Sequence, residues 1–254
     1  MLVNRLIPVL LLQDQGLYKT VKFKKPVYVG DPRNAVKIFN EKEVDELCLL
    51  DIGASKESKE PDFDFIGELT NECFMPIAYG GGITSLDHIK RLFSLGVEKV
   101  VLNSVLFTQP DLVRDAAQIY GNQSIVASVD VKRTLFKKLE VRSVGGTKKE
   151  NVDLPEFLKH LVSLGAGEVI INSIDKDGTM GGMDTDLIKL VADQLDIPVV
   201  ACGGVGALEH IREGITTGGA SAIGAGSFFV FHGKHRAVLI TYPPRKEVRQ
   251  ILSI

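Results

Sequence analysis

Met75-Pro76-Ile77-Ala78-Tyr79-Gly80-Gly81-Gly82 is answered later in the same chain by Ile197-Pro198-Val199-Val200-Ala201-Cys202-Gly203-Gly204. Pro76 to Pro198 and Gly81 to Gly203 are both separations of 122 residues. Working outward, Asp51 closes Leu47-Cys48-Leu49-Leu50 as Ser173 closes Val169-Ile170-Ile171-Asn172, at the same offset. The run Val100-Val101-Leu102-Asn103-Ser104 is answered by Ala222-Ile223-Gly224-Ala225-Gly226-Ser227. A repeat about half the chain long predicts two-fold pseudo-symmetry. Each half closes its apolar runs with a Gly-rich turn and a small-residue turn, so each half can hold one phosphate, and the ligand carries phosphate at both ends.

The apolar runs recur at 5–12, 46–52, 74–79, 98–103, 124–131, 167–173, 197–202 and 220–225. Most are apolar throughout rather than alternating, as in strands covered on both faces of a parallel sheet. Helical spacing separates them. Leu86, Ile89, Leu92, Phe93 and Leu95 follow Ser85 as a predicted N-cap, and Pro155 opens a helix through Leu164. Leu187, Ile188, Leu190, Val191 and Leu195 form another helical set, and Gly96 and Gly165 are helix stops. Eight strands alternating with helices predict a (β/α)8 barrel spanning 1–254 as one domain. An open doubly wound sheet is the rival, and the half-length repeat favours the closed form. Residues 132–152 break the rhythm with Lys132, Arg133, Lys137, Lys138, Arg142, Lys148 and Lys149 around Gly145-Gly146. This segment is too long for an ordinary βα turn. It is expected to be a β-hairpin over the barrel mouth, with a solvated charged loop as the plain alternative.

At 254 residues, 44% apolar and a net charge of −2, the chain has a sizeable core and no footprint of nucleic-acid binding. No apolar stretch reaches the ~18 residues of a membrane helix. Met1-Leu2-Val3-Asn4-Arg5 lacks the layout of a signal peptide. Cys48, Cys73 and Cys202 read as reduced core thiols of a cytoplasmic protein. His232 and His235 have no accompanying carboxylate or thiol, so neither metal nor cofactor is expected.

In a barrel of this kind the chemistry gathers at the C-terminal strand ends. There the fifth strand places Asp130, a general acid/base candidate or else a strand-end cap. The turn Asp177-Gly178-Thr179, with Gly203, Gly204, Gly226 and Ser227, makes one candidate phosphate site. Gly81, Gly82, Asn103 and Ser104 make its symmetric partner. Facing Asp130 across the half-repeat is Leu11, so if two opposed carboxylates are needed, one is missing; Asp14, three residues on, lies in the loop. At the opposite strand ends stand Arg5, Glu46, Lys99 and Glu168, which can neutralise one another as a salt-bridge layer.

Further motifs carry a resemblance. They are Arg5-Leu6-Ile7-Pro8, Gly30-Asp31-Pro32, Asp45-Glu46-Leu47, Gly80-Gly81-Gly82-Ile83, Gly165-Ala166-Gly167-Glu168, Ser173-Ile174-Asp175-Lys176-Asp177-Gly178-Thr179 and Gly203-Gly204. Over essentially residues 1–231 the chain resembles the HisF family, the cyclase subunit of imidazole glycerol phosphate synthase. The resemblance implies a (β/α)8 barrel with a HisH-like glutaminase docked at its N-terminal face. Ammonia would enter through a gate at Arg5, Glu46, Lys99 and Glu168, with Glu98 facing the partner. It would meet a phosphorylated substrate near Lys19, Asp51 and Ser173.

The chain also departs from the family. The typical Cys-Leu-Asp-Val run is here Val9-Leu10-Leu11-Leu12, so Asp130 fits one family aspartate and Leu11 replaces the other. Tyr18-Lys19-Thr20-Val21-Lys22-Phe23, Val27-Tyr28-Val29-Gly30-Asp31-Pro32 and Phe231-His232-Gly233-Lys234-His235-Arg236-Ala237-Val238-Leu239-Ile240 are similar to a paralogous branch linked to acetamidino sugars of surface polysaccharides. The likeness to that branch implies work with the glutaminase and a further amidotransferase. The implied function is ammonia-dependent acetamidino formation. The alternatives are the histidine-pathway cyclase and a non-catalytic ammonia conduit that activates the glutaminase.

Overall fold

The computed structural model describes residues 4–233 and 235–253. Met1, Leu2 and Val3 of the N-terminal reading, Lys234 of the closing run and Ile254 of the tail therefore lie outside the described residues. In chain order the first strands are β1 (Arg5–Gln13), β2 (Gly16–Val21), β3 (Lys24–Gly30), β4 (Leu47–Asp51), β5 (Ile77–Gly80) and β6 (Lys99–Leu102). They are followed by β7 (Ile125–Arg133), β8 (Leu139–Ser143), β9 (Lys148–Lys149), β10 (Glu168–Ser173), β11 (Val199–Cys202) and β12 (Ala222–Ala225). A short pair, β13 (Phe231–His232) and β14 (Ala237–Val238), comes last.

β1, β4, β5, β6, β7, β10, β11 and β12 pair in parallel with their neighbours, and β12 returns to β1, so the sheet closes on itself. The chain forms the expected (β/α)8 barrel. These eight strands coincide with the eight apolar runs, because both faces of each strand are covered. Pleating sends alternate residues to opposite faces. Ile7, Cys48, Ala78, Val101, Val126, Ile170, Val200 and Ala222 pack together along the axis. Their sequence neighbours pack outward against the helices.

The helix ends follow the sequence. The Ser85 hydroxyl accepts from the His88 N–H to cap Leu86–Ser94. Asp153 caps Leu154–Leu164, which carries Pro in its first turn and ends on left-handed Gly165. No described helix is long and apolar enough to cross a membrane.

Two ribbons leave the barrel at its C-terminal rim. β7 continues past the barrel and turns back as β8, pairing antiparallel from Asp130↔Arg142 to Arg133↔Leu139, and β9 adds to β8. The other ribbon, β2–β3, is not signalled by the turn residues of the sequence. Its two-residue loop is Lys22-Phe23, both at positive φ (55° and 59°), where hairpins ordinarily place Asn or Gly. What holds it is tertiary. The Lys22 N–H donates to the Asp177 carbonyl at 3.0 Å. The Asp177 carboxylate accepts from the Thr20 hydroxyl at 2.8 Å and the Phe23 N–H at 3.3 Å.

Candidate active site

At the floor of the barrel the inward positions nearest the N-terminal strand ends are Arg5, Glu46, Lys99 and Glu168. They close a ring in which the signs alternate. Arg5 bonds both Glu46 and Glu168. The Lys99 ammonium donates to Glu46 at 2.9 Å and to Glu168 at 2.8 Å. Both glutamates are buried. Burial works against the Arg5 charge, and the two carboxylates more than offset it, so its guanidinium is held above its ordinary range.

Above the ring lies a void of about 10 Å³, lined by Ile7, Val9, Cys48, Ala78, Val126, Ile170, Val200 and Cys202 and touching Glu46 and Glu168. That is room for about one water-sized molecule. The walls are apolar, and the Cys48 and Cys202 thiols stay neutral because burial raises them, Cys202 to about 12.

Cys202 and Val9 are shared with a much larger cavity at the C-terminal strand ends, about 480 Å³ in volume. It brings together Leu11, Lys19, Asp51, Gly81, Gly82, Asn103, Ser104, Asp130, Asp177, Gly178, Gly203, Gly204, Gly226 and Ser227. Leu11 and Asp130 therefore do share one chamber. The wall contributed by β1 and β4 is apolar (Val9, Leu11, Leu50) up to Asp51, the last residue of β4. The wall contributed by β7 and β10, together with the residue that follows β6, is polar (Asn103, Asp130, Asn172).

Two of the predicted residues are not in this chamber. The Thr179 hydroxyl donates to the Lys176 carbonyl at 2.7 Å, closing its own turn. Ser173 is the outward member of its pleat, buried beside Val131 of β7. Three others are present but occupied by protein. Asp177 latches the β2–β3 ribbon, as described above. Asn103 turns its amide away from an anion: the Nδ2 group donates to the Ser128 carbonyl at 2.9 Å and to the Asp130 carboxylate at 3.2 Å. The Ser104 hydroxyl accepts from the Val144 N–H at 3.2 Å, tying down the loop that leads from β8 to β9. Gly178 serves the latch too, since a Cβ there would stand 2.0 Å from the Thr20 carbonyl oxygen. The turn at 177–179, expected as an anion nest, is thus used for packing, because the β2–β3 ribbon fills it.

What remains for anions is backbone. Gly81, Gly82 and Ile83 at one pole, and Gly203, Gly204, Val205 and Gly226 at the other, have N–H groups with no backbone acceptor among the described residues. Gly204 is fixed by close approach, since a Cβ would meet the Gly182 carbonyl oxygen at 2.1 Å. Beside the second pole sits the Lys19 ammonium, only 4% exposed. It donates one bond, to the Val9 carbonyl at 2.8 Å, and would collide with any side chain at 226.

Burial makes both ionisable centres of the chamber unusual. Asp130, 7% exposed, is pushed up to about 7 chiefly by desolvation; the Asn103 bond opposes this and nearby Asp177 adds to it. Lys19 is pulled down to about 8 by the same desolvation, with Asp177 acting against it. Burial also raises Asp51, against the bonds it accepts from the Gly53 and Ala54 N–H groups. A carboxyl near 7 can hold or release a proton at neutral pH, the range in which acid–base catalysis is most effective.

Residue pattern alone did not lead to Asn172, Cys202 or Phe23. Asn172 was findable by counting in twos from Glu168 and Ile170. Phe23 was not, because it arrives on the unforeseen ribbon.

The family described as histidine biosynthesis protein matches residues 5–236. The chain belongs to that family. A Pseudomonas aeruginosa protein provisionally named imidazole glycerol phosphate synthase subunit hisF2 is 49% identical over 243 residues, covering 96% of this chain and 97% of its own. A Leptospira borgpetersenii protein provisionally named as subunit HisF is 48% identical, covering 96% of each chain. A Vibrio vulnificus protein provisionally named as subunit hisF3 is 47% identical over all of this chain and 98% of its own. The chain is HisF-like from end to end.

Proposed function

We propose that this chain is the synthase subunit of a glutamine-dependent complex. A HisH-like glutaminase sits at the N-terminal face, near exposed Glu98. Ammonia passes the Arg5–Glu46–Lys99–Glu168 ring and the apolar neck, and reaches a phosphorylated substrate in the mouth. The observation that carries the reading is the alignment, on one axis, of a neutral charge ring, a one-molecule void and a chamber holding a carboxyl near 7. An apolar neck suits ammonia, which is uncharged, and excludes ammonium, whose desolvation is costly.

Asp130 is the acid/base group. Asn103 orients it by the 3.2 Å bond, and the Gly82 and Gly204 turns grip the phosphate groups. Leu11 removes the second carboxylate that ring closure of the cyclase type uses, which favours acetamidino-sugar formation for a surface polysaccharide, with a further amidotransferase taking part. The names of the relatives favour a second reading, the imidazole glycerol phosphate synthase cyclase. The test supplies the purified complex with glutamine labelled at its amide nitrogen and assays both products. Label in an acetamidino sugar is expected; label in imidazole glycerol phosphate would install the second reading, and label in neither would defeat both.

A further inference from the structure

The outer turn of the β7–β8 ribbon is built from residues that turn geometry does not ask for. The Lys137 N–H donates to the Thr134 carbonyl at 2.9 Å, and the Thr134 N–H to the Lys138 carbonyl at 2.8 Å. The Lys138 N–H also donates to the Thr134 hydroxyl at 3.1 Å. At the apex of this closed turn stand Leu135 and Phe136, 99% and 94% exposed. Asn, Asp, Gly, Pro and Ser stabilise such positions; Leu and Phe lend the turn nothing and leave their apolar surface in water.

The ribbon beneath is rigidly rooted. The Arg133 guanidinium donates two bonds to Asp184, at 2.7 and 2.8 Å, and the Arg133 N–H donates to the Asp175 carboxylate at 2.7 Å. Around the apex, Lys132, Lys137 and Lys138 form no ion pair among the described residues, whereas the cations farther along the ribbon are paired with Glu140 and Glu150.

We infer that the Leu135–Phe136 apex is a docking element for a second protein, which receives the two side chains in an apolar pocket bordered by Asp and Glu. The closed turn fixes the backbone that presents the two side chains, so only their rotamers are ordered on binding, and together they become a desolvated anchor. The unpaired lysines fix orientation and speed encounter with an acidic border. A lipid surface fits less well, because two side chains anchor less than one acyl chain, which by itself binds marginally, and the chain as a whole is anionic at −2. The apex stands at the rim of the mouth, at the opposite end of the barrel from the charge ring, so both ends can be occupied together. The inference concerns a surface and rests on no step of the chemistry proposed above.

Phe74 provides a control: it is 92% exposed and precedes β5 on the N-terminal side. A photoreactive phenylalanine analogue is placed at Phe136 or at Phe74 in the producing cells. The protein captured at Phe136 is then purified and titrated against the intact chain. The expected result is a protein different from any captured at Phe74, whose binding weakens with salt. Its affinity should fall at least ~30-fold in the double variant L135S/F136S and at least ~5-fold in K137E/K138E, with unchanged thermal unfolding in both. Four results would overturn the inference: no protein at Phe136, the same protein at both positions, binding that survives the serine substitutions, or binding to phosphatidylglycerol vesicles that those substitutions remove.

Discussion

The floor and the mouth of this barrel treat charge in opposite ways. On the floor each buried glutamate meets two cations, and the two acids and two bases of the ring balance in formal charge. In the mouth Asp130 and Lys19 are as deeply buried, but neither touches an opposite charge among the described residues, and both shift toward their neutral forms. Burial is common to both ends; what differs is whether the sheet supplies a counter-charge. Ionisable residues hold the structure together at one end and are free to exchange protons at the other.

Removing the mouth carboxyl has the largest expected effect. Asp130→Asn should lower turnover by ~10²- to 10⁴-fold while substrate affinity by calorimetry stays near the parent value. Substantial turnover in this variant would dissolve the contrast between the ends. On the floor, Glu168→Gln leaves Arg5 and Lys99 sharing Glu46. Breaking a buried pair costs about 3–5 kcal/mol, and because both cations reach solvent, about 2 kcal/mol is expected by urea unfolding. The same variant should lose more of its glutamine-supported rate than of its rate with added ammonia; equal losses would make the ring purely structural.

Stability against pH sharpens the comparison further. Asp130 binds its proton more tightly folded than unfolded, so its contribution is full below about 4 and is lost as pH rises toward about 7, with a slope of at most ~1.4 kcal/mol per unit. Lys19 has the opposite sense for a cation. Its folded form releases the proton early, at about 8, so stability recovers between about 8 and about 10.5. Chemical denaturation across this range should trace a minimum between about 7 and about 8, and Asp130→Asn should flatten its acid limb. The smallest effect is expected of Leu11→Asp. A second carboxylate in the chamber should raise Asp130 further, by ~1 unit, measurable by NMR titration of the labelled carboxyl carbon.

The barrel was legible in the chain because its strands are buried on both faces and therefore apolar throughout. The Gly81–Gly82 and Gly203–Gly204 turns were legible because the repeat places them in register. The β2–β3 ribbon was not, since Lys22 and Phe23 carry no local turn signal and their conformation is held by Asp177, more than 150 residues away in sequence. In the sequence Asp177 and Gly178 therefore read as available for an anion, whereas in the fold they hold this ribbon. Asn103 looked like a ligand for a similar reason. Its partner Asp130 is remote in sequence, and only the register of β6 against β7 brings the two together. Leu135 and Phe136 read as part of a charged segment, and no pattern in the sequence reveals that two apolar side chains stand clear of everything else.

β7 is one unbroken strand from the dry axis at Val126, past Asp130, to Arg133, where the solvent-facing turn begins. Between the acid and the exposed turn this one backbone is clamped at Arg133, which is bonded to Asp175 and Asp184. A load applied at the tip would meet that anchor before it met the proton.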